Sequence, residues 1–319
     1  MAEPGYRRLH ASGQLAARAE AAVAALCACT VCPRECRVNR LEGETGFCAI
    51  GRWARVASFG LHFGEEEPLV GTGGSGTIFF ARCNLACVFC QNQAISQEDE
   101  DSPEAGPRQL AAVMLDLQRQ GAHNINLVTP SHLVPQILEA LIPAVEQGLN
   151  LPLVYNTGGY DALSTLRWLD GVVDIYLPDA KFFSPETAGL YCGAADYPQY
   201  ARQALREMHR QVGDLKLDSQ GLALRGLLVR HLVMPYDLAE TGRWMEFFAR
   251  ELSPETYLNV MDQYRPCGRL TEFPELGRSI TAGEFQAALA SAAAAGIDRL
   301  DQGHRHLAAR LRQLLREGG

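Results

Sequence analysis

The chain has 319 residues, 47% of them hydrophobic and 21% charged, and a net charge of −8. That is enough for one large or two ordinary domains with a sizeable core, in the composition of a soluble globular protein. The negative balance argues against a protein whose main work is gripping nucleic acid. No apolar run approaches the ~18 residues that a membrane span needs.

Of ten cysteines, eight fall between Cys27 and Cys90, while Cys192 and Cys267 stand alone. Clusters at ligand spacing in a chain of this size point to metal binding in a reducing cytoplasm rather than to a disulfide frame. Arg7-Arg8 ahead of AAVAALCAC has a faint look of an export signal. Arg18 and Glu20 interrupt its apolar core, so an amphipathic helix over 14–27 and a cytoplasmic location are expected.

The next stretch, CACTVCPRECRVNRLEGETGFCAIGR, carries Cys29, Cys32, Cys36 and Cys48 at C-x2-C-x3-C-x11-C spacing. Four thiolates can close a structural zinc site or an iron–sulfur cluster, and the spacing leaves both open. Cys27 is then spare, or replaces Cys29. Gly71, Gly73 and Gly76 spell G-x-G-x-x-G, but a strand follows where the dinucleotide fingerprint needs a helix.

Thr77 to Asn92, TIFFARCNLACVFCQN, leads a short β-type run into Cys83, Cys87 and Cys90 at C-x3-C-x2-C spacing. Three thiolates can converge on one soft metal centre and leave a position open, where a single tetrahedral zinc would want four ligands. The bland alternative is three buried structural cysteines on a strand and turn.

From there, β-type runs at 77–82, 124–129, 151–156, 173–178, 226–234 and 257–263 alternate with helical patterns near 107–121, 132–148, 161–169, 197–212 and 238–252. Helices follow at 281–295 and 303–317, and a hairpin with a Gln-Gly turn is predicted at 216–224. The acidic run from Glu98 to Asp101 reads as a solvated loop. Strand–helix alternation over six units implies a parallel α/β sheet, as a partial, open (β/α)6 barrel or, in competition, a doubly wound sheet. The expected limits are a helix and cysteine-rich N-terminal extension over 1–70, a core over 71–300 and a C-terminal helix over 301–319.

Parallel-sheet proteins place ligands at the carboxyl ends of their strands. Those ends carry the three cysteines, Thr129-Pro130-Ser131-His132, Tyr155-Asn156-Thr157-Gly158-Gly159, Pro178-Asp179-Ala180-Lys181, Arg230-His231 and Asp262-Gln263-Tyr264-Arg265. Arg230 and His231 alternate across their strand, so at most one points inward. Asp179 with Lys181 could equally be a surface ion pair, Arg230 the partner of a core carboxylate, and Asn156 a turn former.

The cysteine motif, with Phe89 between its last two cysteines, resembles the radical S-adenosylmethionine (radical SAM) superfamily over roughly residues 70–300. GSGTIFF, CVFCQN, YNTGGYD, DIYLPDAKF and VRHLVMP resemble most the PflX-like branch of the glycyl-radical-enzyme activases related to pyruvate formate-lyase activating enzyme. The resemblance implies a radical SAM barrel and a [4Fe–4S] cluster on Cys83, Cys87 and Cys90, with SAM on its open iron. It implies SAM contacts from Phe89, Asn156, Asp179, Lys181 and Arg230. Thr129 stands where the family has Gly-Gly-Glu, and takes over the contact with the methionine amino group. The strand-three order is Asn-Thr-Gly rather than Thr-Asn-Gly, and Gln263 stands where the activases offer a histidine. The implied partners are a one-electron donor such as flavodoxin or ferredoxin, and a glycyl-radical enzyme or other protein substrate. Two rivals remain: radical chemistry on a small metabolite or short peptide, and a non-catalytic iron–sulfur electron carrier or metal-binding scaffold.

Overall fold

The computed structural model describes residues 3–98 and 101–301; the helix expected at 303–317 and part of the acidic run at 98–101 lie outside them. The strands are β1 (Ala54–His62), β2 (Ser75–Phe80), β3 (Glu104–Ala105), β4 (Ile125–Val128), β5 (Leu153–Thr157), β6 (Ile175–Pro178), β7 (Lys216–Leu217), β8 (Ala223–Leu232) and β9 (Tyr257–Met261). They form one mixed sheet ordered β3-β1-β2-β4-β5-β6-β8-β7, with β9 also on β8. Strands β2, β4, β5, β6, β8 and β9 are parallel and follow chain order. Every crossover therefore steps the same way, and the order reversal of a doubly wound sheet does not occur. The sheet is not closed: β9 bonds β8, and β2 is flanked by antiparallel β1.

The helices are α1 (Gly5–Ala11), α2 (Gln14–Ala24), α3 (Glu67–Val70), α4 (Gln93–Ser96), α5 (Pro107–Arg119), α6 (Val134–Glu146), α7 (Leu163–Trp168), α8 (Pro185–Cys192), α9 (Tyr197–Val212), α10 (Thr241–Phe247) and α11 (Ala282–Ala294). Proline opens α5, α6, α8 and α9, where its missing N–H is an orphan in any case and its fixed φ suits the first turn. A reciprocal Thr281–Glu284 capping box starts α11. Among the described residues no helix is long and apolar enough to cross a membrane.

Side-chain alternation divides the sheet into two faces. Ile125, Leu127, Leu153, Tyr155, Tyr176, Leu227, Val229 and Leu258 join the main core beneath the helices. Val154, Ile175, Leu177 and Leu228 face the other way and form a smaller cluster with Leu69 of α3. Asn126, Asn156 and Arg230 share the parity of that inner face.

Five of the six expected strands have their cores where the apolar runs place them. The fifth begins earlier, because the return arm of the expected hairpin is the start of β8, paired with β7. The expected N-terminal extension contributes β1 to the sheet, and α2 packs on α6. The helix expected over 238–252 is shorter. Tyr236, Asp237 and Glu240 are left-handed, so α10 starts at Thr241, and its last turn widens into a π-turn over Phe248–Leu252.

Candidate active site

Leaving β2, the chain turns through Arg82, a non-glycine at φ 69°. Its amide donates to the Ile95 carbonyl (2.8 Å) and its guanidinium to that of Gln97 (2.6 Å). Strain of this kind persists only where the surroundings hold it, and it gathers at functional sites. The three cysteines follow at once, Cys87 buried, Cys83 and Cys90 half-buried. The Leu85 N–H points at Cys83 Sγ (3.3 Å), and Cys90 Sγ lies 3.2 Å from Ser96 Oγ. The end of α8 clamps the loop, its Tyr191 and Cys192 carbonyls accepting from Val88 and Ala86.

Cys192, expected to stand alone, does not: its Sγ lies 3.4 Å from that of Cys87. Cys267 is also drawn in, its thiol 3.3 Å from the Phe89 carbonyl. Both come from segments over 100 residues downstream, and only the fold brings them here. Donation from Cys192, aided by Lys181, pulls the Cys87 thiol below its ordinary range against burial, while burial raises its partner. Burial likewise pushes Cys83 up to about 12, with Cys87 adding to it.

On the inner face the other expected residues meet in one chain of bonds. Arg230 donates from Nε to Asp179 Oδ1 (2.8 Å) and from Nη2 to Asn156 Oδ1 (2.5 Å). Lys181 Nζ donates to Asp179 Oδ2 (2.7 Å). These charged side chains are only 18–19% exposed, which excludes a surface ion pair. Burial alone would raise Asp179, but Arg230 and Lys181 outweigh it and hold the carboxylate below its usual range. Burial disfavours the Lys181 ammonium in turn, and Asp179 and Cys87 override that. Lys181 thus belongs to both the cysteine loop and the charged chain.

Thr129 ends β4 at φ 61°, a genuine outlier for a β-branched residue, its amide donating to the Asn156 carbonyl (2.9 Å). Its hydroxyl takes no part in the charged chain. Beneath it, Ser131 bonds Thr157 (2.8 Å), and Asp161 accepts from Thr157 (2.6 Å) and Tyr155 (2.8 Å), tying the ends of β4 and β5 together. His231 faces the helices, bonded to Ala180 O and Thr241 Oγ1, so Arg230 is the inward member of the pair. Phe89 packs edge-on against Phe182 (5.6 Å between centroids). With Asp179, Lys181, Leu232, Met234 and Met261 it lines a hollow of about 50 Å³.

Sequence reasoning missed several inner-face groups. Glu65 Oε2 lies 3.8 Å from Arg230 Nη1, and buried Glu66 accepts from Asn259 (2.8 Å). Asn126 is fully buried with neither side-chain polar atom partnered. An acidic triplet looks solvated in sequence, and one asparagine in an apolar strand gives no signal beyond its oddity. Among the described residues, as placed, no three His, Cys, Asp or Glu side chains form a group that could hold a metal ion. The donor set is nonetheless soft and on one loop, with the Leu85 N–H aimed at Cys83 sulfur and the Lys181 charge acting on it, and it suits thiolate ligation.

Fold and site together define an α/β protein with a parallel sheet in chain order and a three-cysteine loop at the strand ends. The chain belongs to the family of the uncharacterized protein MJ0674 of Methanocaldococcus jannaschii, with which it is 34% identical over 268 residues, 82% of this chain and 73% of that protein. A second protein of that organism, the uncharacterized protein MJ0808, is 33% identical over 87 residues, 23% of this chain and 25% of its own length. No protein-family model matches the chain. A radical SAM methyltransferase from Sphaerobacter thermophilus superposes at TM-score 0.48 and 12% identity over 70% of this chain, which spans 64% of that one. TYW1 with a lysine–pyruvate adduct bound superposes at 0.42 and 11%, over 66% of this chain and 71% of that one. At such scores neither likeness carries weight about function.

Proposed function

We propose that the chain is a radical SAM enzyme, its sheet the partial barrel that six parallel strands in chain order suggest. The observation that carries this is the position of Lys181. It is bonded to Asp179 in the Asn156–Arg230–Asp179 chain and electrostatically coupled to Cys83 and Cys87. A thiolate centre and a set of polar groups suited to a zwitterion therefore share one end of the sheet.

Cys83, Cys87 and Cys90 would hold a [4Fe–4S] cluster. When bound with SAM, that group supplies reductive cleavage of the sulfonium to methionine and a hydrogen-abstracting 5′-deoxyadenosyl radical. The chain's own residues bind and orient. Arg230 and Lys181 offer cationic donors to a carboxylate, while Asp179 and Asn156 offer acceptors to hydroxyl or ammonium groups. The left-handed turn at Thr129 directs backbone at the same place. Phe89, Met234 and Met261 give the hollow an apolar wall that excludes water.

Such chemistry requires a one-electron donor of the flavodoxin or ferredoxin kind. Activation of a glycyl-radical enzyme is the finer form of the proposal, supported by the resemblance of the strand-end stretches; a small metabolite or peptide substrate is its rival. The test is equilibrium binding of SAM to anaerobically reconstituted protein. Arg230→Ala, Asp179→Ala and Lys181→Ala should each weaken SAM ten- to a hundredfold, about 1.5–3 kcal/mol for a charged hydrogen bond, with cluster absorbance unchanged. Unaltered affinity in all three overturns the assignment.

A further inference from the structure

The N-terminal cysteines are not needed by the function proposed above, yet the fold gathers them. Cys29, Cys32, Cys36, Cys48, Arg40 and His132 line one small pocket, while Cys27 stays exposed outside it. Two of the four sulfurs face an N–H. Arg40 Nη1 lies 3.8 Å from Cys29 and the Phe47 amide 3.3 Å from Cys36. Hydrogen bonds to sulfur recur around iron–sulfur ligands.

The surroundings are built to the same end. Arg40 is 1% exposed, and its bonding partners among the described residues include no carboxylate. Its other bonds go to the Gly51 and His132 carbonyls (2.9 Å each), and its Nη2 has no partner. A buried unpaired cation needs compensating negative charge close by. His132, also 1% exposed, has an unpartnered Nδ1. Three non-glycines beside the cysteines, Glu35, Arg37 and Ala49, are held left-handed at φ 40°, 56° and 52°. A Cβ at Gly46 would lie 2.6 Å from Cys36 Sγ, so only glycine lets the backbone approach that sulfur.

A single zinc, with Zn–S near 2.3 Å, holds its sulfurs about 4 Å apart. Among the described residues no three of these side chains form a group that could hold a single metal ion. In a cluster each thiolate takes its own iron, and the sulfurs stand wider. We propose that Cys29, Cys32, Cys36 and Cys48 bind a [4Fe–4S] cluster of their own, closed by four thiolates and separate from the Cys83, Cys87 and Cys90 site. Arg34, inside this knuckle, donates to the Asn84 and Gly193 carbonyls (2.9 Å each), so the cluster would brace the loop of the other site.

The test uses the full chain with Cys83, Cys87 and Cys90 all changed to alanine, reconstituted anaerobically and assayed for iron, sulfide, zinc and visible absorption. About four iron and four sulfide per chain are expected, lost on adding Cys36→Ser. A folded variant without metal, or with one zinc and no sulfide, overturns the proposal. Should the triple variant fail to fold, Cys36→Ser alone should remove about half the iron of the reconstituted wild type, and retention of all of it overturns the proposal equally. Neither readout depends on SAM, so the outcome is independent of the function proposed above.

Discussion

Asn126 has a buried amide with nothing to bond, and a buried unsatisfied polar group costs about 1–3 kcal/mol. Tolerating that in a strand of Ile, Leu and Val makes sense if a ligand supplies the partner. Asn126→Leu should raise the ligand-free protein's unfolding free energy by about 1–2 kcal/mol in urea and weaken SAM at least tenfold. A variant less stable than wild type with SAM affinity intact contradicts this. His231 makes a second prediction on the helix side. Burial holds its pKa near 4, below the unfolded value of about 6.5, so the unfolded state binds more protons between those limits. Stability is therefore complete above about pH 6.5 and falls as pH drops toward 4. The wild type should lose about 2 kcal/mol between pH 7 and pH 5 through this group, and His231→Gln should lose that much less. Parallel pH profiles for the two proteins would exclude the assignment.

The turn after β5 tests the site at the level of an element. Gly159 has φ 82°, and a Cβ there would lie 2.4 Å from the Asp179 carbonyl oxygen, so the turn after β5 lies against Asp179 only because this residue is glycine. Gly148 has φ 95° with nothing within 4 Å of an added Cβ. Gly148→Ala should therefore show backbone strain alone, about 1 kcal/mol, whereas Gly159→Ala should cost at least about 2 kcal/mol and also weaken SAM. Equal melting shifts with unchanged SAM affinity would place the Asp179 turn outside the site. Elements were legible where the pattern was strong. Apolar runs gave the strand centres, and helical patterns gave the longer helices. β1 was not legible, because only two of its nine residues are buried and its pairing comes from β2, across a bulge at Val56/Ser58. β3, at two residues, carries no period.

Across the whole molecule, the chain-order parallel sheet turns residues scattered over 150 positions into one strand-end cluster, and strand-end position was readable from periodicity. Periodicity placed Asn156, Asp179, Lys181 and Arg230 at strand ends, and the C-x3-C-x2-C spacing marked Cys83, Cys87 and Cys90. Glu65, Glu66, Asn126 and Cys192 were not, since their roles depend on pairings that loops and α8 create only on folding. The central claim is that this cluster cleaves SAM. The most direct measurement is chromatographic detection of 5′-deoxyadenosine after anaerobically reconstituted protein is given SAM and dithionite. The wild type should form it, and Cys83→Ala, Cys87→Ala and Cys90→Ala should each abolish it, because three thiolates leave none redundant. No 5′-deoxyadenosine from iron-loaded wild type, or near wild-type formation by any one of those variants, would contradict the account.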